Sequence, residues 1–426
     1  MGGGRIPLGP AEPFRSSQDL LPWMIARFKE YGSLYKATID GFSTYVVSDP
    51  DHAQHVLRTN WQNYTKGWAI KRVAFLLGNG LMASEGELWQ RQRRMIQPAF
   101  HRNAIASLYS VIMAANAALC ERWKAAARKR EHVNLTRDVS LMVLEVVLRA
   151  IFGDDYPHVG PHFRLLSEQA ARDLHFAQEF RSLRKIVLQA IADRRNRAVV
   201  APDLLGMLMA ARDRDTGAAM ADQQLVSESM TLIVAGHETT ASVLNWAWYL
   251  LSQHPGVEAR LAQEVGLGSP MLDELATFAY ARQVLEEVLR LYPPGWLLTR
   301  KAIGDDRLGE YFVPAGTEIY ISPYLIQRNP EHWTAPDRFD PDRFAAERAQ
   351  DRHPLAMLPF SAGPRNCVGE ALARLEMQVN LMTIAPDLRL RYDGQVPPDL
   401  DAGVNLRSKH DFMMIPEIKV KAAARP

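Results

Sequence analysis

Apolar residues recur at helical spacing through most of this chain and at alternate positions only in short runs. That pattern predicts a mainly α protein with a minor β region. Leu20 to Tyr31 reads as a helix. Ser33 to Ile39 and Thr44 to Val47 alternate around Asp40-Gly41, a dipeptide suited to a tight hairpin. Ser84-Glu85-Gly86-Glu87 has capping-box spacing and predicts a helix through about Gln97. Leu135 to Phe152 and Pro161 to Arg197 also read as helical. The longest pattern runs from about Asp222 to Gln253 and stops at His254-Pro255. At 1.5 Å per residue, such a helix spans on the order of 45 Å. A helix over about Leu272 to Leu291 ends at Pro293-Pro294. Short β runs follow at Leu297 to Ala302 and Tyr311 to Ser322, split by Pro314-Ala315-Gly316. A loop-rich segment from Asn329 to Pro364 leads to a last helix just after Cys367.

No linker or composition break divides the 426 residues, so the expectation is one large domain over 1–426. Within it, 1–80 contains the N-terminal β part and 81–292 is helix-rich. Residues 293–426 carry strands, a meander, the cysteine loop and the final helix. Composition changes the picture little: 50 basic against 48 acidic residues leave a formal charge of +2, which excludes a general nucleic-acid binder. Two cysteines, Cys120 and Cys367, make no disulfide framework and suit a reducing compartment. MGGGRIPLGP is not a secretory signal, and Ile6 stands where a myristoylation motif wants Ser or Thr. No apolar run approaches the ~20 residues of a span. The expectation is a soluble cytoplasmic protein without a membrane anchor, and a monomer.

Candidate chemistry concentrates in Phe360-Ser361-Ala362-Gly363-Pro364-Arg365-Asn366-Cys367-Val368-Gly369. A cysteine at a helix N-terminus has its thiolate favoured by free N–H groups and the helix dipole. Gly363 and Gly369 permit a tight loop and close approach by something flat and bulky. Arg365 suits a carboxylate, and Phe360 packs against the thiolate side. Cys120, in AANAALCERW, reads as a small core residue. There is no Cys-x-x-Cys-His for covalent haem attachment and no surrounding ligand set for zinc. On the long helix lies Ala235-Gly236-His237-Glu238-Thr239-Thr240. Gly and Thr favour a local opening of the helical ladder, and an acid beside a hydroxyl offers a proton path into an apolar interior.

The cysteine segment resembles the haem-binding signature of the cytochrome P450 family, Phe-x-x-Gly-x-Arg-x-Cys-x-Gly, at every defined position. The segment 235–240 likewise resembles that family's oxygen-activation motif. The resemblance implies the cytochrome P450 fold, a long central helix over a b-type haem, and Cys367 as the iron ligand. It assigns Thr239 to the iron-bound oxygen and Glu238 to proton supply, with Ala235 beside the haem. His237 fills the variable position and reads as a packing or hydrogen-bonding residue. Glu287 and Arg290, three apart on one helical face, resemble the family's Glu-x-x-Arg pair, joined by Arg343. Together they imply a structural network that holds the cysteine loop. Asp342 stands where many relatives carry Glu. Trp89 and Arg93, at i and i+4, resemble a pair that contacts a haem propionate, with Arg300 and Arg365 completing the set.

Leu81, Met82, Ala235, Gly295, Trp296, Leu297 and Leu298 occupy positions that face the distal pocket in relatives. They are apolar, which implies a lipophilic substrate such as a terpenoid, fatty acid or polyketide. The implied activity is hydroxylation or epoxidation with O2, in the manner of secondary metabolism. No flavin or nicotinamide signature is present, so electrons are expected from a separate ferredoxin or flavodoxin with its reductase. Arg91, Arg94 and Arg102 are candidates for its docking face. A peroxide-driven peroxygenase and a non-catalytic haem sensor stay open as alternatives. The implied substrate lid, between Gly160 and Val200, carries no diagnostic motif.

Overall fold

Asp40 and Gly41 take φ values of 48° and 83°, the pair of left-handed residues that a type I′ hairpin needs. In this computed structural model they join β1 (Leu34–Ile39) to β2 (Phe42–Val47) with Ile39 opposite Phe42. The structure describes residues 9–10, 13–15, 19–68, 70, 77–167, 176–197, 201–266 and 271–420. Helix α1 (Leu20–Tyr31) precedes the hairpin, and α2 (Pro50–Gln54) runs into a π-helical turn at His55–Thr59. There follow β3 (Tyr64–Lys66), α3 (Gly86–Ile96), α4 (Tyr109–Lys129), β4 (Val133–Asn134), α5 (Leu135–Phe152) and α6 (Phe176–Arg197). The long helix is α7 (Asp222–Gln253), followed by α8 (Pro255–Val265) and α9 (Ala279–Leu291). Then come β5 (Leu298–Ala302), β6 (Asp306–Leu308), β7 (Tyr311–Val313) and β8 (Glu318–Ile321). Helix α10 (Glu370–Ile384) and strands β9 (Leu388–Tyr392), β10 (Leu400–Ala402), β11 (Leu406–Ser408) and β12 (Met413–Ile418) close the chain.

Three local expectations are corrected. Ser84 does not cap α3, because Glu85 occupies the N-cap position and the Ser84 hydroxyl bonds the Gln92 side chain instead. The stretch from Leu272 divides into a 3₁₀ turn, Leu275–Thr277, and α9. Between Gly160 and Val200 the chain begins as a 3₁₀ helix, Gly160–Ser167, before α6; residues 168–175 and 198–200 lie outside the described residues.

Contacts divide the chain into two compact units. The first comprises Met1–Val73, Glu286–Cys367 and Leu400–Arg407. Its five-stranded sheet has the order β1-β2-β8-β5-β3, with β2 and β8 parallel and its other pairs antiparallel. Side chains alternate across the pleat, so neighbours in sequence enter different cores. Val46 and Tyr320 join Met24, Tyr35, Trp296 and Tyr324, while Val47, Ile319 and Ile321 join Leu57, Tyr64, Leu358 and Ala362.

The second unit comprises Ala74–Leu285, Val368–Asp399 and Ser408–Pro426. Helix α7 is buried along most of its length, and large apolar side chains such as Ile233 and Leu244 each contribute about 1.5–3 kcal/mol by leaving water. A polar thread crosses this core: Trp248 Nε1 donates to Asn380 Oδ1 at 2.9 Å, and Asn380 Nδ2 donates to Asn116 Oδ1 at 2.7 Å. Strand β12 pairs antiparallel with both β4 and β9. Against the expectation of no span-length apolar run, the helical segment Arg102–Lys129 is long and apolar enough to cross a membrane by length and composition. Its buried residues Ile112, Ala115, Asn116, Leu119 and Trp123 recur at helical spacing, the pattern of a helix with one face in a protein core.

Candidate active site

The cysteine loop is a closed ring in the first unit. The Cys367 amide donates to Phe360 O at 2.9 Å, and the Asn366 amide donates to Gly363 O at 3.1 Å across a 3₁₀ turn. Gly363 sits at φ 72°, and a β-carbon placed on it would lie 1.9 Å from Leu57 O. Only glycine fits both the angle and the approach. Cys367 is exposed, Phe360 is half-buried, and Nε and Nη1 of Arg365 are shielded from solvent. Gly369 precedes α10. The other cysteine is unlike Cys367: burial pushes the Cys120 thiol up to about 11, which suits an inert core residue.

The same unit as the loop holds the Glu287 network, in which Glu287, Arg290 and Arg343 are all buried. Arg290 grips Glu287 with two bonds, Nε to Oε2 at 2.7 Å and Nη2 to Oε1 at 2.8 Å, and Arg343 Nε reaches Oε1 at 3.2 Å. The remaining guanidinium donors bond backbone carbonyls of Gln327, Thr334, Ala335, Pro336 and Arg338, which fixes the meander. Asp342, the departure from the common pattern, lies in the turn that presents Arg343.

Sequence reasoning missed Gln327. Its side chain donates to Leu289 O at 3.0 Å and to Arg290 O at 2.9 Å, and its Oε1 accepts the Leu358 amide at 2.7 Å. Gln327 therefore links α9 to the segment entering the cysteine loop. Nothing in the local pattern marks it, because its partners lie 31 or more residues away.

In the second unit, burial along α7 breaks at one place. Between Leu225 and Leu251, only Leu232, Val234, Ala235, Gly236, Glu238 and Thr239 escape full burial. Thr239 Oγ1 donates to Ala235 O at 2.6 Å, the back-bond one turn earlier that loosens a helical ladder. Gly236 lets α5 approach, since an added β-carbon would meet Val147 Cγ2 at 3.3 Å. His237 points away into the core, where its Nε2 is 2.8 Å from Ser140 Oγ and 3.1 Å from Ser140 O. The half-exposed window thus coincides with the acid–hydroxyl pair.

Trp89 on α3 is buried, and Arg93 is half-buried with Nε 3.4 Å from Gln97 Oε1. Arg300, in the middle of β5, is buried with Nη1 donating to Thr299 O at 2.9 Å. Leu81 is buried and its amide donates to Glu228 Oε2 at 2.8 Å, while Met82, Gly295, Leu297 and Leu298 are half-buried. Two expectations change. Trp296 is a core residue of the first unit rather than a pocket wall, 3% exposed, with its indole N–H bonded to Gly403 O at 3.1 Å. Arg94 is a candidate docking cation whose charge is countered locally, because Asp215 pairs with it at 2.7 Å and Asp213 lies at 3.7 Å. Arg102 is exposed and Arg91 half-buried.

A family model described as Cytochrome P450 matches residues 13–164 and 157–415. The chain belongs to the cytochrome P450 family. It is 33% identical to cyclooctatin synthase of Streptomyces melanosporofaciens, over 86% of this chain and 85% of that protein. It is 31% identical to pentalenene oxygenase of Streptomyces avermitilis, over 87% and 86%. It is 30% identical to LUTEIN DEFICIENT 5, a chloroplastic protein of Arabidopsis thaliana, over 92% and 72%. A retinoic-acid-bound cyanobacterial P450 superposes with a TM-score of 0.86 at 23% identity, covering 98% of this chain and 100% of that one. The mainly α architecture with a minor sheet region is the P450 fold, and this P450 is a haem-thiolate monooxygenase.

The side chains present fit that cofactor. An exposed cysteine on a closed loop offers a thiolate. Arg300 and Arg365 in the first unit, and Trp89 and Arg93 in the second, are the donor types that buried carboxylates require.

Proposed function

We propose that this P450 hydroxylates or epoxidises a terpenoid-class substrate on a b-type haem whose iron Cys367 ligates. The relatives named cyclooctat-9-en-7-ol 5-monooxygenase and pentalenene oxygenase support that substrate class. When bound, haem would supply activation of O2, and Cys367 would hold its iron as an electron-donating thiolate. The protein's share is placement and protons. Arg300 and Arg365 of the first unit, and Trp89 and Arg93 of the second, are the donors that would serve the propionates, while Phe360, Gly363 and Gly369 shape the cysteine loop. Ala235 lies beside the cofactor. Leu81 and Met82 of the second unit, and Gly295, Leu297 and Leu298 of the first, are the apolar candidates for substrate contact, and Trp296 is no longer among them. Glu287, Arg290 and Arg343 keep the loop rigid.

The observation that carries an oxygenase reading is the break in burial on α7. Thr239 holds its proton against Ala235 O inside the half-exposed window, and Glu238 stands next to it, so an acid can reload the hydroxyl from within an apolar helix. A haem sensor has no use for such a pair, and a peroxide-fed enzyme does not depend on it.

Electrons come from a ferredoxin or flavodoxin with its reductase, to a monomeric cytoplasmic enzyme. The family match and the fold match over 98% of the chain support reading 1–426 as one catalytic domain. The test is NAD(P)H oxidation by the purified chain with ferredoxin and its reductase, against a panel of cyclic terpenes. Substrate-dependent oxidation with oxygenated product supports the reading; equal turnover with hydrogen peroxide alone favours a peroxygenase, and no turnover with intact haem favours a sensor.

A further inference from the structure

Asp306, at the start of β6, has one carboxylate oxygen bonded by three side chains. Its Oδ2 accepts from Tyr64 Oη at 2.6 Å and Asn60 Nδ2 at 3.0 Å, and lies 2.9 Å from His55 Nε2. The aspartate side chain is 11% exposed. Burial pushes its carboxyl up, but the bonds from Tyr64, His55, the Arg307 amide and Asn60 together outweigh it and hold the pKa below the usual carboxylate value.

The three side chains are not scattered. His55 opens the π-helical turn His55–Thr59, Asn60 closes it, and Tyr64 begins β3. One carboxylate therefore fastens both ends of a turn type that is rare in proteins and tends to occur where function needs it. Between the fastened ends lies Leu57, whose carbonyl oxygen leaves no room for a β-carbon on Gly363. Val56 and Leu57 share an apolar cluster with Leu355, Leu358 and Ala362, the residues that lead into the cysteine loop.

We propose that the Asp306–His55–Asn60–Tyr64 cluster is a positioning clamp for the Cys367 loop, acting through the π-helical turn that Leu57 presses against Gly363. The proposal rests on Cys367 being the iron ligand. Asp306 touches neither the cysteine nor the loop's hydrogen bonds. Its role is to hold the surface on which the loop is moulded, in addition to the support that Gln327 gives through Leu358.

The test uses the holoenzyme in wild-type form and as Asp306→Ala and Tyr64→Phe, the latter removing one hydroxyl. Asp203→Ala is the control, since it breaks a buried ion pair with Arg194 in the other unit. Amide hydrogen exchange is read over 55–66 and 358–367, where Ser361, Asn366 and Cys367 amides are hydrogen-bonded. Decay of the red-shifted carbon monoxide band of the reduced protein is followed in parallel. In Asp306→Ala both segments exchange about tenfold faster and the band decays faster, Tyr64→Phe does so to a lesser degree, and Asp203→Ala leaves 358–367 unchanged. Faster exchange confined to 55–66 overturns the proposal, because the cluster then only fastens a sheet edge. No change in either segment overturns it as well. A wild type without the red-shifted band counts against the ligand assignment instead, and the exchange result still judges the clamp.

Discussion

The Thr239 hydroxyl donates to Ala235 O at 2.6 Å, one turn back along α7, at the one stretch between Leu225 and Leu251 where burial of that helix breaks. A hydroxyl held by the backbone has a fixed direction and a proton to pass on. Thr239→Ala removes that proton and leaves α7 intact. We expect NAD(P)H oxidation to persist within a few-fold while product formed per NAD(P)H falls by roughly 100-fold, in line with the loss of general acid catalysis. Product and peroxide yields measured together check this. Unchanged coupling in both Thr239→Ala and Glu238→Gln would remove the pair from the mechanism.

Glu287 accepts from Arg290, Arg343 and the Asp340 amide, with no exposed surface of its own. Glu287→Ala leaves two buried guanidinium groups without their anion, at a cost of about 3–5 kcal/mol. Thermal unfolding should show a large fall in Tm. Gln327→Ala should lower Tm less, yet loosen residues 355–361 in hydrogen exchange. A Gln327→Ala protein with unaltered exchange there would separate the network from the loop.

Much of this was legible in the sequence for physical reasons. Helix α7 could be read end to end because apolar residues run to a His-Pro stop. The Asp40-Gly41 hairpin followed from two residues that tolerate positive φ. Other features depend on partners that local pattern cannot name. Ser84 had the right spacing for a cap but found Gln92. Trp296 had the right character for a pocket wall but found Gly403 and the first unit's core. Gln327, and the His55–Asp306 pair separated by 251 residues, become visible only when the chain is folded. The strand at Leu388-Arg-Leu-Arg-Tyr was a missed opportunity, since its alternation is plain and its burial alternates accordingly.

Gly363 is expected to accept no side chain. In Gly363→Ala the new β-carbon must move Leu57 O or shift the loop, and alanine at φ 72° adds backbone strain of about 1–3 kcal/mol. Haem content per folded chain should fall. Full haem loading at wild-type Tm would show that the contact is easily relieved.

Glu376 on α10 is buried, and its Oε1 has no hydrogen-bond partner among the described residues. Burial alone pushes its carboxyl well above the ordinary value. A folded pKa above the unfolded value of about 4.3 gives stability that is fully present below that value and is lost as pH rises through the folded pKa. Glu376→Gln keeps the uncharged shape and should abolish that loss. Its Tm relative to wild type should therefore climb with pH. Parallel Tm curves across the range would contradict an uncharged Glu376.

The central assignment is the Cys367 thiolate, and the carbon monoxide difference spectrum of the dithionite-reduced protein tests it most directly. Wild type and Cys120→Ala should show a Soret band strongly red-shifted from that of His-ligated haem, and Cys367→Ala should lack it. A His-type band in wild type, or a red-shifted band that survives in Cys367→Ala, would contradict the account.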